Sequence, residues 1–284
     1  MKVLVTGANG QLAQTFREMF EINSENITFS FVSKEDMSIT DRNLLLETFS
    51  SNDFDYCINC AAYTNVDGAE TDVDAAYEIN DKSIQNIIDG CLINDTTLIH
   101  ISTDYVFDGK GCSPYKENHA VYPVNVYGKS KLNGERRIIS SMSEYFIIRT
   151  SWLYSAYGKN FAKSIAQKIK NNAELTIITS QKGVPTSCVD LSNFIFEMIK
   201  TKNIDYGIYH FSPNGETTWY GFAKQIASNF PQYDINNLKP IDSFNSKAKR
   251  PDYSVMDNQK ASQIMKLRTW EEGVDEIVKK LKSL

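Results

Sequence analysis

The sequence predicts an α/β fold, a doubly wound parallel sheet that carries a smaller, partly interleaved C-terminal lobe. Three observations lead there. Apolar strands of four to six residues alternate with longer amphipathic helical patterns through the first half of the chain. The first strand runs straight into a glycine-rich turn, KVLVTGANGQLA. Beyond the fourth strand, Tyr127 and Lys131 lie one helical turn apart in VYGKSKLNGE.

The elements follow in order. Val3–Thr6 is an apolar run closed by Gly7, and the helical period takes over at Gln11–Ile22. Ile27–Val32 reads as the second strand and Asp41–Phe49 as the next helix. Tyr56–Asn59 is the third strand, followed by a long helical pattern at Asp74–Ile93. Thr97–Ser102, the helix Val126–Ser140 and the strand Tyr145–Arg149 complete the first half. Helical crossovers between strands make the sheet parallel, and such sheets bind ligands beyond the carboxyl ends of their strands. Gly7, Ala61, Ala62, Ser102, Thr103 and the run Thr150–Trp152 all fall there.

The second half is less regular. A helix at Phe161–Lys170 precedes a strand at Thr176–Ile178, a turn-like QKGVPTS run, a helix at Asp190–Lys200 and a strand at Gly207–Phe211. Pro213, Asn214 and Gly215 mark a turn, and the Thr217 or Thr218 hydroxyl is placed to cap a helix running to Phe230. Two more helical patterns fill the last ~30 residues. The expected organisation is a dinucleotide-binding domain over 1–150 and a mostly substrate-binding lobe over 151–284, with later segments returning to the first sheet. No repeat, low-complexity stretch or long linker interrupts it.

Bulk properties narrow the function classes. At 284 residues the chain exceeds one simple core. A formal charge of -5 with scattered Lys and Arg argues against nucleic acid as a partner, Lys247, Lys249 and Arg250 forming only a small cluster. No apolar run approaches the roughly 20 residues that cross a bilayer, and the start has no charged and apolar leader pattern. A cytoplasmic protein with no membrane partner is expected. Of the five cysteines, Cys57 and Cys60 form C-x-x-C inside the strand YCINCA, where i and i+3 point to opposite faces. No second pair follows at ligand spacing, so buried packing is expected and no metal. His100, in an equally apolar strand, reads as packing too.

The chemistry sits in Tyr127 and Lys131. At i and i+4 they share a helix face, and a cation beside a phenol lowers its pKa towards working pH, making it a usable acid. Thr103, at the end of the preceding strand, offers a hydroxyl to the same carbonyl. Gly7, Gly10 and Ala13 form G-x-x-G-x-x-A between a strand and a helix, the context in which such a turn holds a pyrophosphate. Together these point to hydride transfer to a carbonyl. Ser33 and Lys34 follow the second strand with no acid until Glu35 and Asp36, which favours NADPH, with NADH also open.

With these residues, the stretches VTGANGQL, INCAAYTNVDGAE, HISTDYVFDG, PVNVYGKSKLNGE, IIRTSWLYS, QKGVPTSCVDL and KRPDYSVMD resemble the extended short-chain dehydrogenase/reductase superfamily. Within it the chain is most similar to the dTDP-4-dehydrorhamnose reductase family, over essentially its whole length. The resemblance implies a Rossmann-like fold and NAD(P)H-dependent reduction of the 4-keto group of dTDP-4-dehydro-6-deoxy-L-mannose. It implies that Thr103 and Tyr127 hold the substrate carbonyl, that Tyr127 donates the proton and that Lys131 holds the nicotinamide ribose. Gly7, Asn9, Gly10, Gln11 and Leu12 match the pyrophosphate turn; Ala61, Ala62 and Tyr63 match the loop beside the riboses; Ser33, Lys34 and Ile39 fall on the adenosine side. Thr64, Val66, Tyr105 and Trp152 match the sugar-nucleotide pocket, with Asp104 and Arg250 as further substrate candidates. Ser38 departs from the aspartate often found there, and Gln181 stands in a run where Asp-Gln is common. Some members bind magnesium at a dimer interface; a full ligand set is not matched here, and a homodimer stays open. Two alternatives remain: reduction of another nucleotide-linked deoxy sugar, and a non-catalytic NADP-binding regulatory subunit. Against the latter, Thr103, Tyr127 and Lys131 are all retained.

Overall fold

Six strands pair in parallel through the middle of the protein, described here by a computed structural model that covers residues 1–22, 26–201 and 203–283. The strands are β1 (Lys2–Thr6), β2 (Thr28–Val32), β3 (Tyr56–Asn59), β4 (Thr97–Thr103), β5 (Tyr145–Thr150) and the segment Gly207–His210. Their spatial order is Gly207–His210, β5, β4, β3, β1, β2. Val5 registers with Phe31 on one side and Ile58 on the other, so β1 lies between β3 and the edge strand β2. The chain reverses its winding between β1 and β3, and a crevice opens at their carboxyl ends.

Alternation along β1 sets the two faces. Val3 and Val5 point to one core, where α1 (Gln11–Phe20) and the helix Cys188–Lys200 contribute Leu12, Phe16, Leu191 and Phe194. Leu4 points to the other, shared by α2 (Arg42–Ser50), α5 (Ser83–Cys91) and Ile138 of α6 (Val126–Ser141). Helices on both faces explain why the strands read as continuous apolar runs. Cys57 belongs to one core while Cys60 packs against the other. Among the described residues no group of three or more His, Cys, Asp or Glu is placed to hold a metal, and no helix is long and apolar enough to cross a membrane.

A separate core fills the lobe, built from Tyr154, Ile165, Phe222, Trp270 and Val274. Its helices are Phe161–Lys170, Trp219–Ser228 and Trp270–Ser283, and a parallel strand pair joins Leu175–Ile178 to Leu238–Ile241. Thr218 caps the second of these helices by accepting from the Gly221 amide. The chain crosses back from this lobe to the main sheet through Cys188–Lys200 and Gly207–His210, the latter pairing with β5.

Two elements depart from the sequence pattern. The first helix stops at Phe20, leaving Ile22 92% exposed, because nothing packs on the apolar tail of the period. The long pattern at Asp74–Ile93 is interrupted. After α3 (Val66–Ala69), the helix runs as α4 (Val73–Tyr77), a wider π turn at Glu78–Lys82, and then α5. The π turn has a use: Asn80 within it accepts from the Tyr63 amide at 2.9 Å and donates to the Tyr63 carbonyl at 3.0 Å.

Candidate active site

The glycine turn fits a dinucleotide. Gly7 has φ of +68°, and a Cβ there would meet the Cys60–Ala61 backbone at 2.8–2.9 Å. Only glycine allows that backbone conformation and that approach of β1's end to β3's. Gly10 caps α1 without a side-chain bond, so the first amides of the helix face outward, as an anion requires. A cavity of about 410 Å³ opens beside the turn. Gly7, Asn9, Gly10, Lys34, Ile39, Ala61 and Ala62 line it, as does Ser38. Met37, Ala75, Glu78 and Ile79 line it as well. The sequence pattern did not mark these four: Met37 lies in the loop after β2, and no motif shows which face of the α4 segment and the π turn meets the strand ends.

Other expected cofactor residues serve the surrounding frame. Gln11 turns its side chain to the lobe, donating to Leu153 O and accepting from Asn160 Nδ2, each at 3.2 Å. Leu12 is buried in the core beneath the turn. The Ser33 hydroxyl accepts from the Asp36 amide and the Asp36 carboxylate accepts from the Ser33 amide, closing a turn that leaves Lys34 exposed beside the cavity. Glu35 accepts from Asn9 at 3.2 Å. The Tyr63 backbone is clamped by Asn80, while its ring lies against Gly68 and its phenol interacts with Asp72.

Thr103 ends β4, and its hydroxyl caps a short helical turn at Asp104–Val106 by accepting from the Tyr105 amide. Asn125 caps α6 by accepting from the Gly128 amide at 2.8 Å. Gly128 lets the two caps meet: a Cβ there would overlap the Tyr105 carbonyl oxygen. This close approach sets Tyr127 beside Thr103, with its ring edge-on to Tyr105 at 5.5 Å. Tyr127, Lys131 and Glu135 then follow one another on a single helix face. Glu135 is fully buried and pairs with Arg149 on β5 at 2.6 Å, while accepting from Ser102 on β4.

The electrostatics correct one expectation. Tyr127's phenol is pushed up, not down: burial raises it, Asp104 and Tyr105 add to the rise, and the Thr103 hydroxyl alone opposes. Lys131 is turned away from it, donating to Ile101 O at 2.7 Å and lying 3.1 Å from His100 Nε2. Burial brings Lys131 down to about 8. His100 is therefore more than packing; it contacts Lys131 on one side and Asn59 on the other. Asp104 accepts from Thr103 at 3.0 Å, and its other oxygen is buried without a hydrogen bond. Burial raises this carboxyl to about 6.

The remaining substrate candidates form an outer rim. Thr64 is exposed and Val66 opens α3. Arg250 pairs with Asp67 at 2.8 Å and donates to the Tyr105 hydroxyl at 3.2 Å, so Asp67, unmarked by any motif, already answers its charge. The Tyr105 phenol, buried beside Asp104, is raised to about 12. Trp152 stacks on Trp219 at 3.8 Å and 10°, which occupies one of the faces expected to receive substrate. Trp219 in turn donates to Gln181.

Residues 1–283 match the family model described as RmlD substrate binding domain. A dTDP-4-dehydrorhamnose reductase of Aggregatibacter actinomycetemcomitans is 33% identical over 275 residues, covering 92% of each chain. The crystal structure of a dTDP-4-dehydrorhamnose reductase from Clostridium acetobutylicum is 34% identical, covers 99% of this chain and 100% of its own, and superposes with a TM-score of 0.92. The Bacillus anthracis reductase of the same name, solved in complex with NADP, is 35% identical with a TM-score of 0.90 over 98% of each chain. The chain belongs to the RmlD substrate binding domain family.

Proposed function

We propose that the protein is an NADPH-dependent reductase that converts the 4-keto group of dTDP-4-dehydro-6-deoxy-L-mannose to the alcohol of dTDP-L-rhamnose. The observation that carries this reading is the meeting of Thr103 and Tyr127 at the carboxyl end of β4, on the same edge of the sheet as the glycine turn after β1, produced by the contact of Gly128 with Tyr105. Gly7, Gly10 and the α1 amides would hold the pyrophosphate, and the cavity lined by Lys34, Ile39, Ala61 and Ala62 would hold the adenosine side. When bound, NADPH supplies a hydride. The Thr103 and Tyr127 hydroxyls hold the carbonyl oxygen, and Tyr127 passes its proton to that oxygen as it gains charge. A raised phenol suits this task, because it stays protonated at working pH and an alkoxide is the stronger base. Lys131 would hold the nicotinamide ribose. The reading carries with it a nucleotide-sugar partner and a cytoplasmic location; a homodimer is compatible with it.

The test is oxidation of NADPH and NADH against dTDP-, UDP- and GDP-linked 4-keto sugars. Turnover with NADPH on the dTDP-linked 6-deoxy-4-keto sugar is expected. Turnover confined to UDP or GDP sugars would move the substrate, and turnover on none would reject the reading.

A further inference from the structure

A line of buried polar side chains crosses the strand ends beneath the site: Thr6 on β1, Asn59 on β3, His100 on β4 and Lys131 on α6. Thr6 Oγ1 donates to Asn59 Oδ1 at 2.7 Å, and Asn59 Nδ2 lies 3.0 Å from His100 Nδ1. His100 Nε2 lies 3.1 Å from Lys131 Nζ, which reaches Ile101 O at 2.7 Å. Asn59, His100 and Lys131 are all at most 2% exposed.

The donors in this line can be counted. The Ala61 amide points at Asn59 Oδ1 at 3.2 Å, and a peptide N–H can only donate. Asn59 therefore presents its oxygen to Ala61 and its NH2 to His100. Nδ1 of His100 must accept. Burial, and the lysine beside it, hold the imidazole well below its ordinary pKa and hence neutral. A neutral imidazole carries one hydrogen, which is left on Nε2, aimed at Lys131. An ammonium has three donors and no lone pair, so it would set donor against donor in a site closed to water. An amine resolves the conflict: its lone pair accepts from Nε2–H while it donates to Ile101 O.

We propose that His100, oriented by Asn59, is a positioning residue that shifts Lys131 towards the uncharged amine in the cofactor-free protein. The other titratable groups that act on Lys131 are Cys60 beyond β3 and Glu135 one turn further on α6, the lysine being turned away from Tyr127. Cys60 and Glu135 favour the ammonium, yet burial outweighs both and the lysine falls to about 8. Glu135 is already engaged by Arg149 and Ser102. The inference rests on the reductase reading only in making Lys131 the ribose ligand: a bound ligand would answer the charge that the buried site disfavours.

The test uses the full chain with [13Cε]lysine, titrated by NMR, with the Lys131 signal identified by its loss in Lys131→Arg. A wild-type midpoint near 8 is expected. His100→Gln can turn an amide oxygen to the lysine. Asn59→Asp reverses the imidazole, placing its hydrogen on Nδ1 and a lone pair on Nε2. Both should raise the midpoint by about one unit or more. His100→Gln adds no charge, so a rise in both variants separates the hydrogen-bond effect from a Coulombic one. A wild-type midpoint in the ordinary lysine range, or one that stays put in either variant, overturns the proposal. Keto-sugar turnover on the same samples keeps the two readings apart. Turnover with an ordinary lysine midpoint defeats this inference alone, and a displaced midpoint without turnover defeats the reductase reading alone.

Discussion

Thr103, Tyr127 and Lys131 stand on an inner wall formed by β4, β5 and α6, where the supporting polar groups are buried and mostly paired: Ser102 and Arg149 with Glu135, His100 with Asn59 and Lys131. Thr64, Val66, Trp152 and Arg250 stand on a rim of loops and short elements, partly exposed, and held by contacts such as Arg250 with Asp67 and Tyr105 and Trp152 with Trp219. On the proposed function, the difference divides the labour. A proton must be delivered within fractions of an ångström, so its donor is placed on rigid, over-determined structure. A sugar nucleotide must enter and leave, so its contacts lie where few bonds need to break.

The comparison can be broken most sharply at the inner wall. Tyr127→Phe should lower kcat by roughly 10²- to 10⁴-fold while leaving NADPH affinity nearly unchanged, because the lost group is the acid. Near-normal turnover would remove Tyr127 from that role. Arg149→Met leaves Glu135 buried without its partner, at a cost of about 3–5 kcal/mol, or a Tm lower by roughly 6–20 °C. Adding Glu135→Leu should recover most of it; a single variant that melts like wild type would show the pair to be dispensable.

Asp104 marks the seam between wall and rim. Its carboxyl is raised from 3.8 to about 6, so its contribution to stability is whole below the unfolded value and is lost as pH rises through about 6. Asp104→Asn lacks that loss. The variant should therefore gain on wild type from pH ~4 to ~7, by up to about 3 kcal/mol, as read from denaturant midpoints. A gap independent of pH would contradict the burial argument. At the rim, Arg250→Ala should cost on the order of tenfold or more in kcat/KM for the sugar nucleotide, with NADPH KM unchanged. If the variant melts early and binds the sugar nucleotide normally, Arg250 only ties its loop to Asp67. The smallest effect is expected at Lys34: NADPH should have a lower KM than NADH, and Lys34→Ala should narrow the gap by at most about fivefold. A wild-type preference for NADH would refute it.

The two regions were also unequally legible in the sequence. The glycine turn and the Tyr127–Lys131 pair are local patterns whose spacing carries their geometry, and the alternation of strands and helices carries the sheet. The partners of the inner wall are not local. Ser102 and Glu135 are 33 residues apart and Asn59 and His100 are 41 apart; Asn59, His100 and Ser102 each read alone as a polar residue in an apolar strand, and Glu135 as one more charge on a polar helix. The downward shift expected for Tyr127 failed for the same reason: spacing places two side chains on one face, but burial and a competing carbonyl decide where the lysine turns. Trp152 adopts a left-handed φ of +46° to lie on Trp219, a conformation no sequence period announces.

Gln11 joins the glycine turn to the lobe. Its position opens the helix whose amides face the cavity, and its side chain grips Leu153 O and Asn160 of the lobe. A ligand that orders the turn and a ligand that orders the lobe therefore act on a common residue. Linkage between two binding events is reciprocal, so whatever free energy one passes through this contact to the other is passed back in full.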